Sequence, residues 1–294
     1  METLMRIVKS VGPWITLFFG AVLMSHVFAE SIDVKEDAVE GVWELPATEV
    51  SALVLILHGF NDDLNGVGGL QQGLAESLAR QGIASLRINF RGEGARHNYR
   101  VTSTVSSRLE DTAKAYQWMR EQYPDKPLGV MGWSMGAMSA MLSAGAHPQW
   151  YQSMVLWSAA GNGVSLLHSA TDPAFNLAAR QAIAHGEATW QSWTPMVLTD
   201  KFLTSFIGVD VVDSLGNYPG SFLSIRGSDD YLPAMESVWL PLLKNSDRAA
   251  HVIGGADHIF NVLGPQAHQG DAAIRLTTKW FGRTLNACCA GDSQ

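Results

Sequence analysis

Three short stretches hold residues able, together, to perform nucleophilic catalysis. The first is Gly132-Trp133-Ser134-Met135-Gly136, a G-x-S-x-G pattern. The second, Arg226-Gly-Ser-Asp-Asp230, supplies carboxylates. The third, Gly254-Gly-Ala-Asp-His258, supplies an imidazole. A serine hydroxyl is a weak nucleophile at neutral pH. It needs a base to take its proton and return it to the leaving group. The base in turn needs a carboxylate to fix its tautomer and stabilise its cation. The chain offers these in the order Ser134, Asp229 or Asp230, His258. Such a set performs acyl transfer: attack on a carbonyl, a covalent acyl-enzyme, then hydrolysis. Asp257, beside the histidine, reads as a loop residue. His97, His147, His168, His185, His251 and His268 read as surface or core residues.

Ser134 is useful only if the fold lifts it out. The apolar run Pro127 to Met131 reads as a buried strand, and the small residues Ala137, Ser139, Ala140 and Ala144 suit a closely packed helix after the turn. A turn this sharp strains the backbone at the serine, so the residues two before and two after it must lack bulk. The helix N-terminus and the Met135 N–H then face a developing oxyanion. Continuous apolar runs mark further strands at Ala52 to Leu57, Ala84 to Phe90, Ser153 to Ser158, Ser221 to Ile225 and Ala249 to Ile253. Val39 to Pro46 alternates in part and predicts an edge strand. Helices are expected over Leu70 to Gln81, from a Ser107/Glu110 capping box to Tyr123, around Ala234 to Leu243, and over Gln266 to Phe281. Strands alternating with helices imply α/β architecture: a parallel sheet covered on both faces. Its strand C-termini share one edge, where loops distant in sequence converge. Gly161 to Pro219 breaks the rhythm, shows no clear strand before Phe222, and reads as an insertion over the sheet edge.

His58-Gly59-Phe60, Asn89-Phe-Arg-Gly-Glu-Gly94, Gly132 to Gly136, Arg226 to Asp230 and Gly255-Ala-Asp-His258 together resemble the α/β-hydrolase superfamily. The resemblance runs from about Leu53 to Phe281 and is strongest to cinnamoyl (feruloyl) esterase-like and serine aminopeptidase-like members. It implies an α/β-hydrolase fold with a mostly parallel central sheet, helices on both faces and a helical lid. The core would occupy residues 30–160 and 220–294, and the lid 161–219. The resemblance selects Asp230, three residues after Gly227, as the triad acid. A proline usually follows that acid by about four residues, and here Pro233 fits Asp229 instead. The resemblance also implies an oxyanion hole from the N–H groups of Phe60 and Met135, with His58 shaping the loop. The insertion carries Trp190, Trp193, Met196, Phe202 and Phe206. With Trp133 beside the nucleophile, these suggest a wall for an apolar acyl group, with Trp133, Trp193 and Phe206 as substrate-binding residues. The expected activity is hydrolysis of small carboxylic esters, with no metal and no cofactor. A peptidase or amidase of the same fold is the alternative. A non-catalytic binding protein would have lost a triad member, and Ser134, Asp230 and His258 are all present.

Of the 294 residues, 47% are hydrophobic and 16% charged, which fits one large α/β domain or two small ones. The net charge of −8 argues against nucleic acid or an anionic membrane surface as partner. Arg6 and Lys9 precede an apolar run from Val11 to Ala29 that ends in Val27-Phe28-Ala29. This is the pattern of a secretory signal peptide over residues 1–29, with export to the periplasm or medium. An uncleaved membrane anchor is the alternative. Cys288 and Cys289 are adjacent, close no useful loop and read as part of a tail.

Overall fold

The computed structural model describes residues 30–36, 39–162 and 172–286. The expected leader and both cysteines lie outside these residues. In chain order the strands are β1 (Glu30–Glu36), β2 (Val39–Leu45), β3 (Ala52–Leu57), β4 (Ile83–Asn89), β5 (Arg100–Val101), β6 (Leu128–Trp133), β7 (Ser153–Trp157), β8 (Glu187–Gln191), β9 (Pro195–Thr199), β10 (Ser221–Gly227) and β11 (Arg248–Ile253). The helices are α1 (Leu70–Ala79), α2 (Val105–Gln122), α3 (Met135–Ala146), α4 (Pro173–His185), α5 (Asp200–Thr204), α6 (Val212–Asn217), α7 (Glu236–Trp239) and α8 (His268–Asn286).

A strand with apolar side chains on both faces must lie between two layers. β3 and β6 are buried at every position, and they form the centre of an eight-stranded sheet. Its order is β1-β2-β4-β3-β6-β7-β10-β11. β1 and β2 run antiparallel to their neighbours, and every other pairing is parallel. One face packs on α1 and α8 through Leu74, Leu78, Ala273 and Phe281. The other packs on α2 and α3 through Ala115, Met119, Met138 and Met141. Among the described residues no helix is long and apolar enough to cross a membrane.

The structure corrects the sequence reading in four places. Val39–Leu45 is not an edge strand, because β1 pairs along its whole length. The mixed, charged sequence of Glu30–Glu36 conceals that outer strand. The helix box is Thr104 with Ser107: Thr104 Oγ1 accepts the Ser107 N–H at 3.1 Å, and Ser107 Oγ accepts the Thr104 N–H at 2.9 Å. Glu110 instead takes the Arg91 guanidinium at 2.9 Å. The helix expected around residues 234–243 is one α turn followed by a 3-10 turn over Leu240–Leu242, where Pro241 has no N–H to offer a longer helix. The insertion is not helical alone. Its strands β8 and β9 form an antiparallel hairpin, and β9 adds in parallel to the two-residue β5. β8 is half exposed and polar, and β5 follows a glycine-rich turn, so neither offers the apolar run that marks a core strand.

Candidate active site

The turn between β6 and α3 presents Ser134. Its φ of 53° and ψ of −114° lie outside the regions open to most side chains, a strain of about 1–3 kcal/mol that surrounding bonds must hold. The Ser134 N–H donates to Trp157 O at 2.8 Å, and Ser134 O accepts the N–H groups of Ala137 at 3.1 Å and Ala160 at 3.2 Å. The flanking glycines are required by contact. A Cβ on Gly132 would run into the Ala137 backbone, and one on Gly136 into the carbonyl oxygens of Leu57 and His58. Gly136→Ala is therefore expected to cost about 1–3 kcal/mol of stability. Gly282→Ala, in open space on α8, is expected to change stability by less than that, in the favourable direction. Urea unfolding midpoints of the two variants check this.

His258 follows β11. Its Nε2 lies 3.0 Å from Ser134 Oγ, and its Nδ1 lies 2.8 Å from Asp230 Oδ1. The Trp133 indole N–H donates to His258 O at 3.3 Å, and the Tyr231 ring lies 4.4 Å from the imidazole. Asp230 follows β10, and its side chain is only 1% exposed. The Leu232 N–H also donates to its Oδ1, at 3.0 Å. Burial pushes the Asp230 carboxyl up, but the His258 contact and the Leu232 N–H outweigh it and hold the group below the usual carboxylate range. Asp230 Oδ2 and the Ser158 hydroxyl are both buried without a standard hydrogen bond, and the hydroxyl helps keep the acid ionised. Asp229 is exposed and accepts its neighbour's Ser228 hydroxyl at 2.8 Å. Of the two carboxylates, Asp230 is the one against the imidazole. Asp257 Oδ1 accepts the N–H groups of Ile259 at 3.0 Å and Asn261 at 2.7 Å, shaping the loop.

Met135 opens α3, where an N–H has no carbonyl four residues back within the helix. Gly59 passes so close that a Cβ there would lie 3.5 Å from Ser134 Cβ, which brings Phe60 alongside. The His58 ring sits beneath this loop. Its Nδ1–H donates to Gly59 O at 2.7 Å and its Nε2 accepts the Phe90 N–H at 3.0 Å, which fixes the tautomer. Burial, helped by the Arg108 charge and opposed by Glu93, lowers the His58 pKa to about 4, so the ring is neutral. Next along the loop, Asp62 accepts the Val67 N–H at 3.2 Å, and burial raises its pKa to about 6. A raised acid in the folded state penalises the ionised form. The penalty is full above pH 6 and fades as pH falls from 6 towards the unfolded value near 3.8. Asp62→Asn should therefore stabilise the protein at pH 8 by about 1–3 kcal/mol. The gain should close by pH 4, as thermal melts at the two pH values would report.

Ser134, His258, Asp230, Phe60, Met135 and Trp133 thus come together at one edge of the sheet. Trp133 is buried below the serine, against Trp157 and Phe260. Trp193 and Phe206 are not brought to the serine. Trp193, at the β8–β9 turn, is 73% exposed and lies edge-on to Tyr99. Phe206 is buried behind Phe202. Phe202 itself stacks on Phe60, ring centres 5.2 Å apart. Tyr231 escaped the sequence reading, although its place directly after Asp230 was the available signal. Among the described residues no cluster of His, Cys, Asp and Glu is arranged to hold a metal ion.

A family model described as serine aminopeptidase, S33, matches residues 48–193. A monoglyceride lipase homolog of Monkeypox virus is 27% identical over 114 residues, covering 38% of this chain. The chain spans only 40% of the length of that curated relative. Est1E from Butyrivibrio proteoclasticus, in its ferulic acid-bound structure, superposes with a TM-score of 0.67 at 19% identity, covering 86% of this chain and 100% of its own. A thermostable carboxyl esterase from Bacillus coagulans superposes with a TM-score of 0.66 at 15% identity, covering 88% and 99% of the two chains. The strand order, the turn at Ser134 and these superpositions agree: the chain has the α/β-hydrolase fold.

Proposed function

We propose that the chain hydrolyses carboxylic esters with Ser134 as nucleophile, His258 as general base and acid, and Asp230 as the orienting carboxylate. One observation carries this reading: the unbroken series from Ser134 Oγ through the imidazole to Asp230 Oδ1, at 3.0 and 2.8 Å. In acylation, the Ser134 proton passes to His258 Nε2 as the oxygen adds to the ester carbonyl. The oxyanion is held by the N–H groups of Phe60 and Met135. Collapse breaks the bond to the alcohol, which leaves with the proton from His258. Water then repeats the sequence on the acyl-enzyme, releasing the acid and restoring Ser134. Asp230 stays ionised and stabilises the imidazolium in both halves.

The acyl group is apolar. Support comes from the Phe60–Phe202 stack, which brings the insertion over the donor loop, and from Est1E, which binds ferulic acid. In this reading the insertion is the lid, and residues 1–29 are a secretory leader removed before Glu30. N-terminal sequencing of the mature protein tests that last point, since a retained leader would mean a membrane anchor.

The activity is tested by initial rates on short- and medium-acyl aryl esters, a methyl hydroxycinnamate and an aminoacyl amide. Ester turnover with an apolar preference is the expected result. Turnover of the amide alone would replace the esterase with a peptidase.

A further inference from the structure

Under the loop that carries Phe60 lies a pair of opposite charges that the reaction does not use. Arg108, on α2, and Glu93, in the turn after β4, are each 2% exposed and are joined through Nη1 and Oε1. Glu93 sits between Gly92 and Gly94, whose φ angles of 73° and 78° turn the chain back on itself. A Cβ at either glycine would meet Thr102 or Asp62 O. The Arg108 guanidinium carbon lies over the Phe90 ring, 3.7 Å from its centre.

Further hydrogen bonds of the pair go to the backbone and helix that hold the two oxyanion donors. Arg108 Nη2–H donates to His58 O at 2.7 Å. Glu93 Oε2 accepts the Asn61 N–H at 2.8 Å. The two bonds grip His58–Asn61 at both ends, with Phe60 between them. Asn61 has a φ of 51°, in the left-handed region that asparagine enters more readily than most residues, and its Oδ1 accepts the Gly94 N–H at 2.7 Å. On the other side, Arg108 Nε–H donates to Ser139 Oγ at 3.1 Å, and that hydroxyl donates to Met135 O at 3.2 Å. One planar fork therefore joins the loop bearing the Phe60 N–H to the first turn of the helix bearing the Met135 N–H.

We propose that Arg108 and Glu93 are positioning residues for the oxyanion hole, fixing the Phe60 N–H relative to the Met135 N–H so that both meet the same oxygen. The proposal rests on the esterase reading of Ser134. A purely structural role is a poor account of the pair, because apolar side chains of similar volume join layers without desolvating two charges. Serving three acceptors in fixed directions needs the guanidinium fork, which an ammonium does not reproduce.

The experiment compares wild type with Arg108→Lys and Glu93→Gln. A fluorophosphonate, taken to completion, counts competent serines, and kcat is expressed per labelled site. Each variant should lose about 10- to 100-fold in kcat per labelled site. KM should stay within about twofold and the pH profile should keep its shape, since the donors act on the transition state and the triad is untouched. A drop in labelled fraction with unchanged kcat per site would mean a structural role only and would overturn the proposal. If the single variants do not fold, Glu93→Gln with Arg108→Met decides by the same criteria, because a neutral replacement of a buried pair is usually tolerated. If wild type neither turns over esters nor is labelled at Ser134, the esterase reading has failed. If wild type does both and the variants match it per site, the clamp alone has failed.

Discussion

Ser134→Ala is expected to remove about 10⁴-fold or more of ester turnover while leaving the unfolding midpoint almost unchanged. The two expectations have separate causes. The hydroxyl is the atom that bonds to the acyl carbon, and no neighbouring group can replace it. His258 could at best activate water directly, without a covalent intermediate. Structurally the hydroxyl does little: its recorded contact is the one to His258, while the strained turn is held by backbone bonds to Trp157, Ala137 and Ala160. Alanine keeps those bonds and the same Cβ. Initial rates and a urea melt on the same preparation test both halves. Retention of more than a few per cent of wild-type turnover would remove Ser134 from the mechanism.

The two neighbouring carboxylates should separate as sharply. Asp230→Asn is expected to lower kcat by about 10⁴-fold, and Asp229→Asn by less than twofold. An amide at position 230 keeps the volume but offers an N–H to His258 Nδ1. That bond selects the imidazole tautomer whose proton sits on Nε2, where the base must be free to accept from Ser134. The exposed Asp229 carboxylate accepts the hydroxyl beside it in sequence, and the residue's N–H donates to Ala256 O at 2.9 Å, a bond that the amide variant keeps. Because the Asp230 carboxyl is held below the usual range, the acid limb of the rate profile does not arise from its protonation. The opposite ranking of the two variants in kcat would move the acid to Asp229.

The parts of this molecule that were plain in one dimension share a physical cause. β3 and β6 are buried on both faces, so their sequences are unbroken apolar runs. Gly132 and Gly136 are forced by backbone contacts on both sides of the serine, so the motif had to be written in residue types. What was hidden depended on partners far away in the chain. β5 is two residues long and becomes a strand only because Val197 and Leu198 arrive beside it. β1 carries charge at most of its positions and is a strand because β2 offers it an edge. Trp193 and Phe206 have the right chemistry for a substrate wall, yet one faces solvent and the other is buried behind Phe202. Side-chain direction within an insertion is set by tertiary packing, which composition does not encode. Arg108 is the clearest case. The sequence reading passed over it, because the carbonyl of His58 and the carboxylate of Glu93 that help draw it inside lie 50 and 15 residues away.

The outer strand has a further consequence, for solubility. Among the described residues β1 pairs with β2 alone, and every described side chain along it except Val34 is exposed, with Glu30, Asp33 and Lys35 among them. Charged side chains along a free border discourage a second chain from adding its own strand. β2 behind it carries Val39 and Trp43, both buried. A polypeptide beginning at Val39 would leave the outer backbone N–H and C=O groups of β2 bare, a template for edge-to-edge association. The seven residues of β1 thus act as a fender, contributing little to the core while keeping neighbouring molecules apart.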